Sequence, residues 1–180
     1  MEVIKTEIEG VLLIKPQVFG DERGYFFETY NEERYRAAGV NETFVQDNQS
    51  FSQKNVVRGL HFQKPPFCQA KLVSVIQGSV LDVAVDLRKK SPTYGKYVAA
   101  ELTGDNHWQL FIPQGFAHGF SVLENNTIFA YKCSNFYHKE SEASIIYNDP
   151  IIAVDWRIEN PIISEKDRNG FQFNEFISPF

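Results

Sequence analysis

Imidazole gains and loses a proton near neutral pH, so the four histidines are the first candidates for chemistry. His61 sits in Val57-Arg58-Gly59-Leu60-His61-Phe62-Gln63, and His118 in Pro113-Gln114-Gly115-Phe116-Ala117-His118-Gly119-Phe120. Both runs read as strand. A histidine there is either a hydrogen-bonded core residue or a working base, acid or ligand. His107 and His138 lie beside Asn106 and Lys139 in loops and are expected at the surface. Cys68 and Cys133 form neither a CxxC pair nor a framework of several bridges, so they read as reduced thiols.

The elements that must position these side chains are mostly strands. One helix is expected over Asn31 to Ala38, with Asn31 as cap, Glu32-Glu33 at its positive end and Gly39 as its stop. Strands are expected at Val11–Val18, Gly24–Tyr30, Phe44–Ser52, Val56–Gln63, Ala70–Ile76 and Ser79–Leu87, the last two joined by a tight turn at Gln77-Gly78. Tyr97–Leu102, Gln109–Ile112, Gly119–Leu123, Ile128–Phe136 and Ser144–Tyr147 follow. In Ser79–Leu87 the residues Leu81, Val83, Val85 and Leu87 share one face, and Asp82, Ala84 and Asp86 the other. Short strands divided by Gly, Pro, Asn or Asp imply an all-β jelly-roll sandwich or barrel. No Pro/Gly/Ser-rich linker interrupts the chain, so residues 1–180 read as one domain.

Composition narrows the partners. The formal charge of −5 argues against a general nucleic-acid binder. With 43% hydrophobic residues the chain is not disordered, and no apolar run reaches the roughly 20 residues of a membrane helix. Met1-Glu2-Val3-Ile4-Lys5-Thr6-Glu7 lacks the order of a secretory signal, so a cytoplasmic location is expected. Aromatic residues at 14%, with 16 Phe, supply large rings to a single core.

Pro113-Gln114-Gly115-Phe116-Ala117-His118 resembles the second motif of cupin barrels. A metal-binding cupin would add two closely spaced histidines and a glutamate from an earlier strand pair. Here that stretch offers only His61; Gln63 follows, and the next acidic residue is Asp82. Three ligands are the usual minimum for a catalytic metal, so a cupin-like barrel without metal is expected.

Eight runs then carry a specific resemblance. They are Val18-Phe19-Gly20-Asp21-Glu22-Arg23-Gly24, Val45-Gln46-Asp47-Asn48-Gln49-Ser50, Arg58-Gly59-Leu60-His61-Phe62-Gln63 and Gln69-Ala70-Lys71-Leu72-Val73. Asp82-Val83-Ala84-Val85-Asp86-Leu87-Arg88, Ile112-Pro113-Gln114-Gly115-Phe116-Ala117-His118-Gly119-Phe120, Tyr131-Lys132 and Asn148-Asp149-Pro150 complete the set. In this order they resemble the dTDP-4-dehydrorhamnose 3,5-epimerase family. The resemblance implies dTDP-4-dehydro-6-deoxy-glucose as substrate, inversion at carbons 3 and 5 through an enolate, and no cofactor. It also implies a homodimer with exchanged strands, and a role in supplying rhamnose to the cell envelope.

Site residues follow from the same match. His61 corresponds to the base and Asp167 to its orienting carboxylate, with Asp82 as a rival for that task. Tyr131 corresponds to the proton donor, with Tyr137 a weaker substitute. Lys71 lies where a cation would face the sugar carbonyl, and His118 would line the sugar pocket. Arg23 and Arg58 suit a diphosphate, because guanidinium can bind phosphate with two hydrogen bonds. Glu28, Gln46, Asp47, Asn48, Glu142 and Lys166 match nucleotide- or sugar-contacting positions. Phe19 and Phe26 are candidates for stacking on thymine or for the core. Asp21–Glu28 is the candidate segment donated to a partner.

One geometric tension stands out. Arg58 and His61 are three residues apart, so a regular strand aims them at opposite faces unless Gly59 marks a bulge. Three other readings stay open on sequence alone. One is an enzyme inverting a single carbon or isomerising the ketone. Another is a non-catalytic cupin that binds a nucleotide sugar or a protein. The third is a metal-dependent cupin, against which the ligand count speaks.

Overall fold

Alternating apolar side chains give each sheet a face to bury, and two sheets stack to bury both. The computed structural model describes residues 1–180. The strands are β1 (Glu2–Lys5), β2 (Leu12–Lys15), β3 (Phe19–Asp21), β4 (Gly24–Phe26), β5 (Gln46–Ser52), β6 (Val56–Gln63) and β7 (Lys71–Gln77). They continue as β8 (Ser79–Asp86), β9 (Tyr97–Thr103), β10 (Gln109–Ile112), β11 (Phe116–Val122), β12 (Thr127–Cys133), β13 (Glu142–Ser144) and β14 (Ile162–Ile163). Two short helices, α1 (Glu32–Ala37) and α2 (Glu165–Arg168), complete the set.

The first sheet is ordered β1-β2-β10-β7-β12-β5 and the second β13-β6-β11-β8-β9. β14 pairs in parallel with β6, while β3 and β4 pair only with each other. This is the cupin-like jelly roll expected from the sequence. Between the sheets, Val73, Val75, Leu110 and Phe129 meet Val80, Ala84, Phe116, Phe120 and Val122.

Both outer faces are covered as well. Leu81, Val83, Val85 and Leu87 pack under Ile145, Ile152, Trp156 and Phe176 of the C-terminal segment. β8 is therefore buried at every position, and Asp82 is left on its inner face. On the other sheet, Ile14, Leu72 and Phe111 pack against Tyr35 of α1 and Val40. α1 begins where Asn31 Oδ1 accepts the Arg34 N–H at 3.1 Å, and Gly39 ends it at φ 99°.

Some expectations are corrected. Phe19-Gly20-Asp21, outside the expected strands, is one arm of the β3–β4 hairpin, because Phe19 finds a cross-strand partner in Phe26. The aromatic run is strand only as far as Phe26, not Tyr30. β11 starts at Phe116, directly after Gly115, where Gly119 was expected. β1, β14 and α2 are too short to give a period of their own.

The tension between Arg58 and His61 resolves at the β6–β11 pairing. His118 lies opposite His61 and Phe120 opposite Arg58, so β6 spends three residues where β11 spends two. The extra residue is a bulge, and it returns Arg58 and His61 to one face. Gly59 adopts φ 134°, and a Cβ there would lie 2.4 Å from Gly119 Cα. No other residue type fits both the angle and the space. Gly59→Ala should therefore cost about 3 kcal/mol from backbone strain and overlap. At about 2–4 °C per kcal/mol for a chain of this size, thermal unfolding should fall by roughly 6–12 °C. An unchanged midpoint in a melting curve would contradict this account of the bulge.

Candidate active site

The inner faces of the two sheets deliver the site from opposite walls. From the second sheet come Arg58 and His61 on β6, Asp82 on β8 and His118 on β11. From the first come Gln46, Asn48 and Ser50 on β5, Lys71 on β7, and Tyr131 and Cys133 on β12. All but the fully buried Asp82 line a cleft of about 320 Å³ at the mouth or a pocket of about 240 Å³ behind it. His61, Lys71, Tyr131 and Glu142 border both, so the two are tiers of one chamber.

The sequence left two carboxylates competing for His61. Asp167 holds it: His61 Nε2 lies 2.6 Å from Asp167 Oδ1. The other Asp167 oxygen accepts the Gly59 N–H at 3.3 Å. Asp167 is itself fixed because its N–H donates to Ser164 Oγ at 3.1 Å, the cap of α2. Burial alone would raise this carboxyl. The His61 ring, the Gly59 amide and Ser164 outweigh burial and hold it below the usual carboxylate range.

Asp82 serves the other histidine. His118 Nε2 lies 2.8 Å from Asp82 Oδ1, and both residues are buried. Burial pushes the His118 imidazole down despite the Asp82 charge, and Lys71 and His61 push the same way. His118 is thus a neutral polar group at the back of the chamber.

Lys71 and Tyr131 face these pairs from the opposite wall. Burial lowers the Lys71 ammonium, against the pull of Cys133, Asp82 and Glu142. Its Nζ lies 5.7 Å from the centre of the Tyr131 ring. Burial raises the Tyr131 phenol, with Cys133 and Glu142 adding and Arg58 opposing. The phenol therefore stays protonated at neutral pH.

The mouth is built around Glu142. Tyr137 Oη donates to it at 2.8 Å, and Lys166 Nζ lies 2.5 Å from its other oxygen. Burial would raise Glu142, but Lys166 and Tyr137 lower it below its ordinary value. Gln46 Oε1 accepts the Tyr137 N–H at 3.0 Å, and Gln46 Nε2 donates to Asn48 Oδ1 at 3.0 Å.

Three expected site residues are not brought into this chamber. Asp47 is corrected on strand parity: Gln46, Asn48 and Ser50 point inward, so Asp47 points outward. There it pairs with Lys132 at 2.9 Å. Arg23 lies on the exposed hairpin and binds Asp21, and Glu28 binds Arg34 at 2.6 Å. Phe19 and Phe26 are 62% and 68% exposed, so they are not core residues. His107 and His138 are half-buried rather than surface groups: His107 stacks on Phe27 and His138 on Phe67. Cys133 and Gln69 line the mouth without having been anticipated. For Cys133 the signal was present, since it stands two residues beyond Tyr131 on the same strand face.

No three His, Cys, Asp or Glu side chains converge to hold a metal ion. The arrangement places a carboxylate-oriented imidazole on one wall and a protonated phenol on the other, with an ammonium beside the phenol. That set can move protons at a carbon next to a carbonyl.

The sequence model of the dTDP-4-dehydrorhamnose 3,5-epimerase family matches residues 5–175. A dTDP-4-dehydrorhamnose 3,5-epimerase of Shigella flexneri is 52% identical over 174 residues, 96% of each chain. The crystal structure of that enzyme from Elizabethkingia anophelis NUHP1 superposes with a TM-score of 0.92, at 50% identity and 97% of each chain. A dTDP-6-deoxy-D-glucose-3,5-epimerase from Legionella pneumophila, solved with dTDP-4-keto-L-rhamnose, gives 0.94 at 48% identity, over 98% of this chain and 94% of that one.

The Asp167 pairing carries a sign in pH. A carboxyl lowered by folding contributes stability above its unfolded value, about 4, and loses it as pH falls through the lower folded value. Asp167→Asn removes the charge. In urea unfolding, the gap between wild type and Asp167→Asn should be largest near pH 7 and close below about pH 4. A gap independent of pH would mean that the charge stabilises nothing.

Proposed function

The chain belongs to the dTDP-4-dehydrorhamnose 3,5-epimerase family, and from that premise we propose how its own residues turn dTDP-4-dehydro-6-deoxy-glucose into dTDP-4-dehydrorhamnose. One observation carries the reading. The His61–Asp167 pair and Tyr131 face each other from opposite sheets across one chamber.

Inversion needs a proton taken from one face of the sugar and another returned to the opposite face. The ketone at carbon 4 makes the hydrogens on carbons 3 and 5 acidic. His61 accepts one of them, and Asp167 stabilises the imidazolium that forms. The electrons move onto the carbonyl oxygen as an enolate. Lys71 offers an ammonium to that oxygen, and burial makes its charge gain most from a negative partner. Tyr131 then gives its phenolic proton to the carbon from the other side. Exchange with water returns a proton to Tyr131 and removes the one held by His61. The same cycle serves the second carbon, and no carbon changes its oxidation state.

His118, kept neutral by burial and oriented by Asp82, suits a sugar hydroxyl. Arg58 and Lys166 supply positive charge for the diphosphate, with Gln46, Asn48 and Glu142 as polar contacts at the mouth. Arg23 and Glu28 fit the same ligand only if a second copy presents its β3–β4 hairpin. The exposed rings of Phe19, Tyr25 and Phe26 support such a homodimer. Free Cys68 and Cys133 are consistent with a cytoplasmic enzyme, read here as one domain over residues 1–180.

Turnover in heavy water should place deuterium at both carbon 3 and carbon 5, read by NMR of the product. Label at one carbon would make the protein a single-site epimerase, and no label would make it a binding protein. His61→Ala should lower kcat by about 10²–10⁴-fold with the fold kept. A loss under about tenfold would remove His61 as the base.

A further inference from the structure

Gln63 ends β6 beneath the chamber mouth and takes no part in the proton transfers above. It is 5% exposed, and its amide is fully used. Nε2 donates to the Phe67 carbonyl at 2.6 Å and to the Phe136 carbonyl at 3.2 Å. Oε1 accepts the His138 N–H at 2.7 Å. Phe136 and His138 flank Tyr137, so one side chain grips the backbone on both sides of that residue. The same amide ties in the loop at 64–68, where the Phe67 ring lies on His138 with centroids 3.7 Å apart and planes 3° from parallel.

Tyr137 is 53% exposed and borders the cleft. An irregular segment carrying an exposed ring would lose freedom when a ligand settles against it, which weakens binding. A segment already held loses less. We propose that Gln63 is a positioning residue that fixes Tyr137 at the mouth and thereby sets affinity for the nucleotide part of the ligand. The inference rests on the nucleotide-sugar reading above. Its chemistry is specific to an amide, because two carbonyls need donors and one N–H needs an acceptor. A glutamate of the same shape sets negative oxygen against two carbonyl oxygens. A methionine of similar length makes none of the three bonds.

Calorimetric titration of the full chain with dTDP tests this, with folding checked by thermal unfolding. Wild type should bind. Gln63→Glu and Gln63→Met should each weaken binding at pH 8 by tenfold or more. Gln63→Glu should regain affinity at pH 6 relative to wild type, because a protonated carboxyl can donate to one carbonyl. Gln63→Met should show no pH change beyond that of wild type. In a Tyr137→Ala background either substitution should cost less than twofold. If Gln63→Glu does not fold, Gln63→Met with and without Tyr137→Ala carries the same comparison. Binding within twofold of wild type for the folded variants at pH 8 would overturn the proposal. So would an undiminished loss in the Tyr137→Ala background. Absence of dTDP binding by wild type would overturn the nucleotide-sugar reading, and this inference with it.

Discussion

Where β6 crosses β11, backbone lies against backbone, and Gly59 has no room for even a methyl group. That contact sets the geometry of the chamber. It allows the bulge, the bulge aims Arg58 and His61 at the same space, and the freed Gly59 N–H becomes a donor to Asp167. The imidazole, the carboxylate that orients it and the nearest guanidinium are therefore consequences of one close approach. A regular pairing of the two strands, without the bulge, would leave His61 and Arg58 on opposite sides of the sheet.

Charge is arranged on the same economical plan. The chamber holds two histidine–aspartate pairs, and their surroundings separate them. The inner pair is sealed, and burial keeps His118 neutral. The outer pair opens to the cleft, with Asp167 held ionised by the partners it serves. Lys71 lies across from both and restrains the protonation of His118. Within an acidic chain of formal charge −5, Arg58 and Lys71 thus bring positive charge to the chamber wall.

Much of this was legible in the residues. Val56–Gln63 and Gln109–Ile112 were readable to the residue, because both are dense in β-branched or aromatic side chains with clear turn signals outside. The alternation in β8 told which side Asp82 takes, but not that His118 would be its partner, since strand order is not written in a period. Asp47 stood inside a matching run yet turns outward, because a run of residues in a strand is split between two faces. In the sequence Gln63 ends a matching run and stands where a metal ligand is missing; its three hydrogen bonds join segments far apart in the chain. Arg23 lies at the tip of the exposed β3–β4 hairpin and Glu28 just beyond it, where Glu28 pairs with Arg34 of α1, so neither position reaches the chamber of its own chain.

The C-terminal segment covers the outer face of the second sheet and also carries Asp167. His61 and its orienter are 106 residues apart, so the imidazole emerges from the ribosome long before the group that aims it. All fourteen strands precede α2 in the chain, and the His61–Asp167 pair needs α2. The orientation of His61 is thereby tied to a segment that follows the strands of both sheets. A chain cut before α2 would contain the residues of every strand and lack the carboxylate that orients His61.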